Sequence, residues 1–586
     1  MRPTSLRAAA VLAALVASAP EIFSQAAPAP PQDPVVVAQT ARDSVRSLNS
    51  ARSAQAAFER LRFRHFPWTN DGVGPDRCDE RIGRFCIWHG EGKTEEWVPP
   101  PDAEPVKEGR TALIARLDEV AAEYPGDEWV AGQRVRYLVE DGRADEAAAA
   151  ARECRAGWWC SALEGFALHS AGKIAEADEA FEVALAGMPE KSREEWTELR
   201  PLLSDGDWRA FRRLRESMPD AEVRFWWLAD PFWAFPGNDL RTEHFSRNVV
   251  DRLQDRARVT EGLSWGDDLR EILLRFGQPT GWERIRPNHP MLLQGPASVL
   301  THYAPRSWNF LPPVRSLGDP VEIGEGDWPL DDKFARAEYK PAYVERMDEL
   351  EHQVALFRRA DSVQVVAAFA LNADSIPPGA TTEAALVLAT DPGTEPRIAR
   401  EIVTGPRGVV SLVAEPGARI MSLETQTLPV KRGGRARYGL RLPAAAGGVG
   451  VSDVLLLQSA DPLPSTLEEA VPQARGSTRV RPGESLGLFW EVYGLAERPD
   501  TVALSVSVYR AAAGWRRRLA ERLGLVAEAT PVRVQWDEET PGEPTMARTL
   551  VLAIPEVPAG EYVLELAVTP REGEPAATRR SLRVER

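Results

Sequence analysis

The chain has 586 residues, 71 basic and 87 acidic, a net charge of −16 and 43% hydrophobic residues. That length exceeds what one core supports and implies several domains of about 100–200 residues each. The acidic balance argues against nucleic acid or an anionic membrane as partner, because phosphate binding needs a concentrated basic surface, and the run Arg516-Arg517-Arg518 reads as a solvated helix face.

At the start, Arg2 and Arg7 precede an apolar segment (8–17) and small residues that lead into a Pro/Ala/Gln tract. This is the layout of a secretory signal peptide over 1–26, cleaved after Ala26, and its apolar run falls short of the ~20 residues of a membrane span. No cysteine follows to carry a lipid, so the mature chain is expected to be exported, to the periplasm or outside the cell. A flexible lead-in follows, then a helix over 38–65 with Val45, Leu48, Phe58 and Leu61 on related faces. Residues 68–101 read as an irregular segment closed by Pro99-Pro100-Pro101, so that 27–107 forms a lead-in, a helix and a disulfide-held stretch. The four cysteines form two close pairs, Cys78 with Cys86 and Cys154 with Cys160. In an oxidising compartment they read as two short-loop disulfides. The alternative is a metal site on Cys78, Cys86 and His89, whose spacing lacks the Cys-x2-Cys form of most zinc sites.

Across 108–222 the pattern changes to Ala-rich helices separated by Gly or Pro. Gly165, Leu168, Ala177, Phe181, Ala184 and Pro189 resemble the tetratricopeptide repeat, and Gly-Arg-Ala-Asp-Glu-Ala (142–147) recurs as Gly-Lys-Ile-Ala-Glu-Ala (172–177). Small residues let paired helices approach while the aromatic fills their groove, so a short helical solenoid is predicted, with an ordinary bundle as the alternative. Such solenoids bind peptides or proteins, or act as spacers.

Next comes a central α+β domain, expected over 223–360. It opens on Phe225-Trp226-Trp227 and Phe232-Trp233, turns at 236–239, and continues in a helix over 240–258 with Phe245, Val249 and Leu253 on one face. Residues 269–276 predict a short helix or strand running into the turn Gly277-Gln278-Pro279. Trp265, Asp268, Arg275-Phe276-Gly277 and Pro279 resemble the pattern of the GWxTD-domain family of exported bacterial proteins, in which Gly-Trp-x-Thr-Asp precedes an apolar strand and a Tyr-Gly-x-Pro turn. Ser264 and Asp267 depart from it at the Gly and Thr positions. The resemblance implies compartment and architecture rather than a chemistry.

A helix is predicted near 341–358, after the acidic loop 324–333. Strands follow at 363–371, 381–390, 408–414, 419–427, 435–442 and 449–457, then at 486–492, 502–509, 532–536, 549–554, 562–568 and 581–584, with an amphipathic helix inserted at 514–523. Their spacing predicts two antiparallel sandwiches, 361–470 and 471–586, and the stretch around Gly560 and Tyr562 resembles bacterial immunoglobulin-like domains. The expected fold class is multidomain: an α-helical repeat segment, a central α+β domain and two C-terminal all-β immunoglobulin-like sandwiches.

Motifs for catalysis are sparse. A metal hydrolase needs three converging ligands; Asp230, Asp239, Glu243, His244, His289 and His302 could contribute, without His-Glu-x-x-His or any paired spacing. Asp267-Asp268 could pair as carboxylates or cap a helix. No Gly-x-Ser-x-Gly, phosphate loop or dinucleotide fingerprint occurs, so no cofactor is expected. Trp68, Trp88, Trp97, Trp308 and Trp328 sit in loops of exposed character and could stack on sugars, anchor a protein or fill a core. The expected function is exported, non-enzymatic binding or envelope assembly. Its contact surface would be an aromatic groove of Trp226, Trp227, Phe232, Trp233, His244, Trp265, Asp268, Arg275 and Gly277, facing another exported protein or peptide. The alternatives are a hydrolase of peptide or glycan around Asp230, Glu243, His244 and Asp268, and a structural component of a surface assembly built through edge strands.

Overall fold

The computed structural model describes residues 34–69, 79–87, 97–286, 299–303, 307–332, 335–444, 447–458, 461–511 and 532–585. The expected signal peptide, Cys78, Trp88, His89, His289 and the helix expected at 514–523 lie outside the described residues. The described residues up to Ser50 and those from Ala51 onward belong to two separate units. Helix α1 (Pro34–Arg64) covers the helix expected at 38–65.

Within the second unit, helices come first. After β1 (Trp68–Thr69) and the hairpin β2 (Glu80–Ile82) and β3 (Phe85–Ile87), α2 (Glu104–Glu123) starts at a proline, the one residue that loses nothing by lacking an N–H there. Two helical pairs follow, α3 (Glu128–Glu140) with α4 (Ala144–Glu153), and α5 (Trp158–Ser170) with α6 (Ile174–Gly187). Each pair turns at a glycine in the left-handed region, Gly142 at φ 76° and Gly172 at φ 74°. The repeated hexapeptide therefore marks a repeated turn. A Cβ on Gly165 would stand 2.9 Å from the Phe181 ring, which explains the small residue at that position. Cys154 and Cys160 form a disulfide across the α4–α5 connection; Cys86 is also disulfide-bonded.

The chain continues through α7 (Glu190–Trp196), α8 (Asp205–Ser217), α9 (Ala221–Ala229), α10 (Asp239–Asp255) and α11 (Asp267–Phe276), which settles 269–276 as helix. Then β4 (Gly281–Ile285) pairs with β5 (Val299–His302) and, in parallel, with β1, so the segment expected to be irregular supplies a strand to this small sheet.

The helix expected near 341–358 is corrected to two strands, β6 (Arg346–Glu349) and β7 (Glu351–Arg359). Its Glu and Arg spacing suits a helix, but Ala355 and Phe357 on one face of β7 and Val354 on the other are all buried between layers, a pattern helical period cannot satisfy. β7 folds back on β8 (Ser362–Ala370), and the expected boundary at 360–361 falls at the turn of that hairpin. Next come β9 (Thr381–Ala389), β10 (Arg397–Thr404), β11 (Arg407–Ala414), β12 (Gly417–Leu428) and β13 (Arg432–Leu442). A first sheet has the order β10-β9-β12-β13-β6 and a second β11-β8-β7.

β14 (Gly450–Val451) and β15 (Leu455–Leu457) replace the single strand expected at 449–457, and both pair with β17 (Ser485–Tyr493), so this segment belongs to the following sheet. The short helix α12 (Leu467–Ala470) and β16 (Arg479–Val480) precede β17, and β18 (Thr501–Arg510), β19 (Val532–Glu539), β20 (Thr545–Ala553), β21 (Gly560–Pro570) and β22 (Ala576–Val584) follow it. β14, β15, β17 and β20 make the third sheet; the fourth has the order β16-β22-β21-β18-β19.

These sheets stack face to face. Val365, Phe369, Leu386 and Leu423 fill the space between first and second. Ala355, Phe357, Val366 and Ala368, on the other face of the second, pack against Leu455, Leu457 and Phe489 of the third. Leu488, Trp490, Val506 and Leu564 join third to fourth. At the opposite end, Phe225, Trp226 and Phe232 pack with Ala385, Val387 and Ile420 on the outer face of the first sheet. The helical half thus caps one end of a layered β half. No helix among the described residues is long and apolar enough to cross a membrane.

Candidate functional site: the polar junction around α10

Helix α10 starts where Asn238 accepts a hydrogen bond from the Arg241 N–H, and its buried residues lie all around its circumference. Such a helix is an interior strut rather than an amphipathic surface element. From one side the helical pairs hold it: Gln133 and Trp129 donate to the carbonyls of Leu253 and Arg256, Arg241 pairs with Asp178 and Glu182, and Phe181 meets Phe245 at 5.5 Å. From the other side it holds α11, with Arg247 donating to the carbonyls of Leu274, Arg275 and Glu338. The face of the helical pairs turned toward α10 is therefore filled by this chain's own helix.

At the N-terminal end of α10 several titratable groups meet. Asp239 is 3% exposed; burial pushes its carboxyl up to about 6, against the hydroxyls that Tyr343 and Tyr339 direct at it. Its Oδ2 has no hydrogen-bond partner among the described residues. Burial, and then the Asp239 charge, pushes the neighbouring Asp230 well above the carboxylate range, while Arg437 opposes them. One turn on, burial works against the charge of Glu243, but Arg247 at 2.7 Å and His169 at 2.8 Å outweigh it and hold that carboxyl far below its usual range. The other His169 nitrogen lies 2.9 Å from the Thr242 hydroxyl. The cluster thus combines two acids raised by burial, a Glu243 carboxylate held by Arg247 and His169, and two tyrosines within the seam between helices and sheet.

The sheet side of the seam is made by residues that no motif marked. Glu424 on β12 accepts from the backbone N–H groups of Trp233 and Ala234 at 3.0 and 2.9 Å. Arg437 on β13 pairs with Glu424, donates to the carbonyls of Leu228 and Asp230, and lies 3.9 Å from the Trp233 ring centre. Arg435 donates to Pro231 O at 3.3 Å and lies over Phe310 and Trp328; burial lowers its guanidinium to about 9. Their signal in the sequence is a buried-strand pattern, Arg-Ala-Arg and Ser-Leu-Glu, that carries charge on one parity only.

Several expectations are corrected. Trp226, Phe232 and Trp233 are core residues and Trp227 is half-buried against Trp233, so these rings fill the helix–sheet seam and form no exposed groove. Apolar area this large does more for stability inside than at a surface. His244 is buried, facing Trp196 O at 3.0 Å; burial pushes it down to about 4. Trp265 donates to Asp251. Asp268 is 184 residues from its partner Arg84, which bonds both its carboxylate oxygens and holds its titration far below the usual range. Arg275 is fully buried and pairs with Glu80 on β2. Gly277, at φ 80°, lets the Arg247 guanidinium pass where a Cβ would lie 2.9 Å away. These contacts therefore tie α10, α11 and the β2–β3 hairpin together. Asp230 and Glu243 lie with Asp239 and His169 at the start of α10, whereas His244 faces Trp196 O and Asp268 is held by Arg84, so the four do not share one site. Of the loop tryptophans, Trp308 and Trp328 are buried, Trp97 stacks on His302 at 3.8 Å, and Trp68 is exposed under the Arg284 guanidinium. Among the described residues no group of three His, Cys, Asp or Glu is placed to hold a metal ion.

No family model and no curated protein sequence matches the chain. Among solved structures it is similar to the FN1-FN3 domains of chicken CNTN1, with 11% identity over 42% of this chain and 68% of that one, at a TM-score of 0.14. It is also similar to red sea bream transglutaminase, with 7% identity over 56% of this chain and 43% of that one, again at a TM-score of 0.14. Likeness of this degree carries no inference about what the chain does.

Proposed function

We propose that this chain is an exported, non-enzymatic binding or envelope-assembly protein in which a tetratricopeptide-like helical segment and a GWxTD-like centre are fused to two immunoglobulin-like sandwiches. The observation that carries the reading is the use made of the central residues. Trp226, Phe232, Trp233, Asp268, Arg275 and Gly277 act as packing and ties between layers, which makes a rigid body for presenting outer surfaces. The disulfide between Cys154 and Cys160 suits an oxidising compartment. Partners are other exported proteins, met on surfaces away from α10.

One observation favours a second reading, hydrolysis of a peptide or glycan: the neighbouring carboxyls Asp230 and Asp239, both raised by burial, beside Glu243 and His169, since raised carboxyls concentrate at active sites. Purified full-length chain incubated with peptide and glycan pools separates the two. No turnover is expected. Turnover that disappears in Asp239→Asn, with the circular dichroism spectrum unchanged, would sink the binding reading in favour of catalysis.

A further inference from the structure

The first sheet ends at β10, which pairs with β9 alone. At the margin of the second sheet the outer edge of β7 is covered: it meets Asp453 at Leu356 N, the Tyr493 hydroxyl at Arg358 N and the Arg580 guanidinium at Val354 O. Along β10, by contrast, no hydrogen bond to the outward backbone groups is present among the described residues. It also exposes large apolar side chains on the outer face, Ile398 at 39% and Ile402 at 71%. An edge of this length with free N–H and C=O groups is a template for another strand.

Which strand fits is decided by parity and charge. A two-fold axis normal to the sheet keeps both outer faces on the same side, so only residues of like parity can stand opposite one another. Centred on Arg400, the antiparallel register puts Ile398 of each copy opposite Ile402 of the other and Glu401 opposite Ala399, diagonal to Arg397. Both isoleucines are then covered, and two Arg397–Glu401 attractions form. Arg397 is exposed, with only Glu415 at 3.8 Å, and Glu401 is exposed. Centred on Glu401, the pairing would oppose two carboxylates and leave Ile398 against Thr404. Arg400 itself is drawn off the axis, because its guanidinium donates to Ala234 O on the helical side.

We propose that the chain self-associates through β10, two copies pairing antiparallel about Arg400 so that their first sheets run on as one. The pairing stands independently of what the chain binds or catalyses. One strand pair is a small interface, so a weak dimer forms, populated at about 100 µM. Light scattering on full-length protein tests it: the mass rises toward twice the monomer with concentration, and Ile402→Lys weakens association at least about tenfold with the monomer fold unchanged. Mixing Ile398→Cys chains with Ile402→Cys chains under mild oxidation then gives cross-linked pairs in excess of either chain alone, which reads the register directly. A chain that stays monomeric at that concentration, a dimer that survives Ile402→Lys, or cross-linking no greater in the mixture than in the separate chains overturns the proposal.

Discussion

His244 shows how a residue of catalytic type is turned to structure. Burial, with Arg247 nearby, pushes its imidazole down to about 4, whereas the unfolded side chain titrates near 6.5. Between those values the unfolded chain binds more protons, so the stability present above pH 6.5 is lost as pH falls toward 4. The contribution is on the order of 3 kcal/mol. Urea midpoints recorded from pH 7 to pH 4 are expected to fall less steeply in His244→Gln than in the parent. Asp239 has the opposite sign. Its carboxyl, raised to about 6 from 3.8, favours the fold at low pH, and that stability is lost as pH rises through 6. Asp239→Asn should therefore stabilise the protein at pH 7 by roughly 3 kcal/mol and leave it nearly unchanged near pH 4. Equal midpoints for the two proteins at pH 7 would show that Asp239 meets no such burial cost.

At the scale of elements, α9 and the turn after it are held to β12 and β13 by one buried ion pair. Removing Glu424 strands the Arg437 guanidinium, 1% exposed, and two backbone N–H groups. Leaving one buried charge unpaired costs about 3–5 kcal/mol, more than any exposed pair in the chain contributes. Glu424→Ala should lower the urea midpoint accordingly and quench or shift the Trp233 fluorescence; Arg84→Ala, which breaks a pair exposed on the arginine side, should change the midpoint by no more than about 1 kcal/mol. Helix α10 behaves in the same manner, as an element whose neighbours and not its surface face determine its role. Its helical period was visible in Phe245, Val249 and Leu253, yet Ser246, Arg247 and Asn248 between them, and Asp239 and His244 before them, are buried as well, because helices pack on it from both sides.

Within residues 51–586 the β layers form a stack and not a string of beads. Phe357 and Phe489 meet at 5.9 Å between second and third sheets, in a core that joins what the strand spacing divided into two sandwiches. A single buried aromatic of this kind is worth about 3–5 kcal/mol on truncation. Phe489→Ala should therefore destabilise both sandwiches together, and calorimetry of the parent should show the β half unfolding in one transition. Two separated transitions, with Phe489→Ala moving only the later sheets, would show that the layers are energetically independent.

What the amino-acid sequence determined by itself was local and periodic. The Ala-rich pairs turning at Gly142 and Gly172, the Cys154–Cys160 bridge, the start of α10 and most of the strands follow from short-range sterics and hydrophobic period. Three things were decided only in the folded chain. Residues 351–359 became strand because their two faces are covered by sheets, Val354 on one side and Ala355 and Phe357 on the other. The segment at 450–457 joined β17 because its partner lies farther along the chain. The aromatic and charged residues of the centre went inside because Arg435, Arg437 and Glu424, some 200 residues away, supply their hydrogen bonds. Burial is a property of what packs on a residue from elsewhere in the chain, and a periodic pattern reports only which residues share a face.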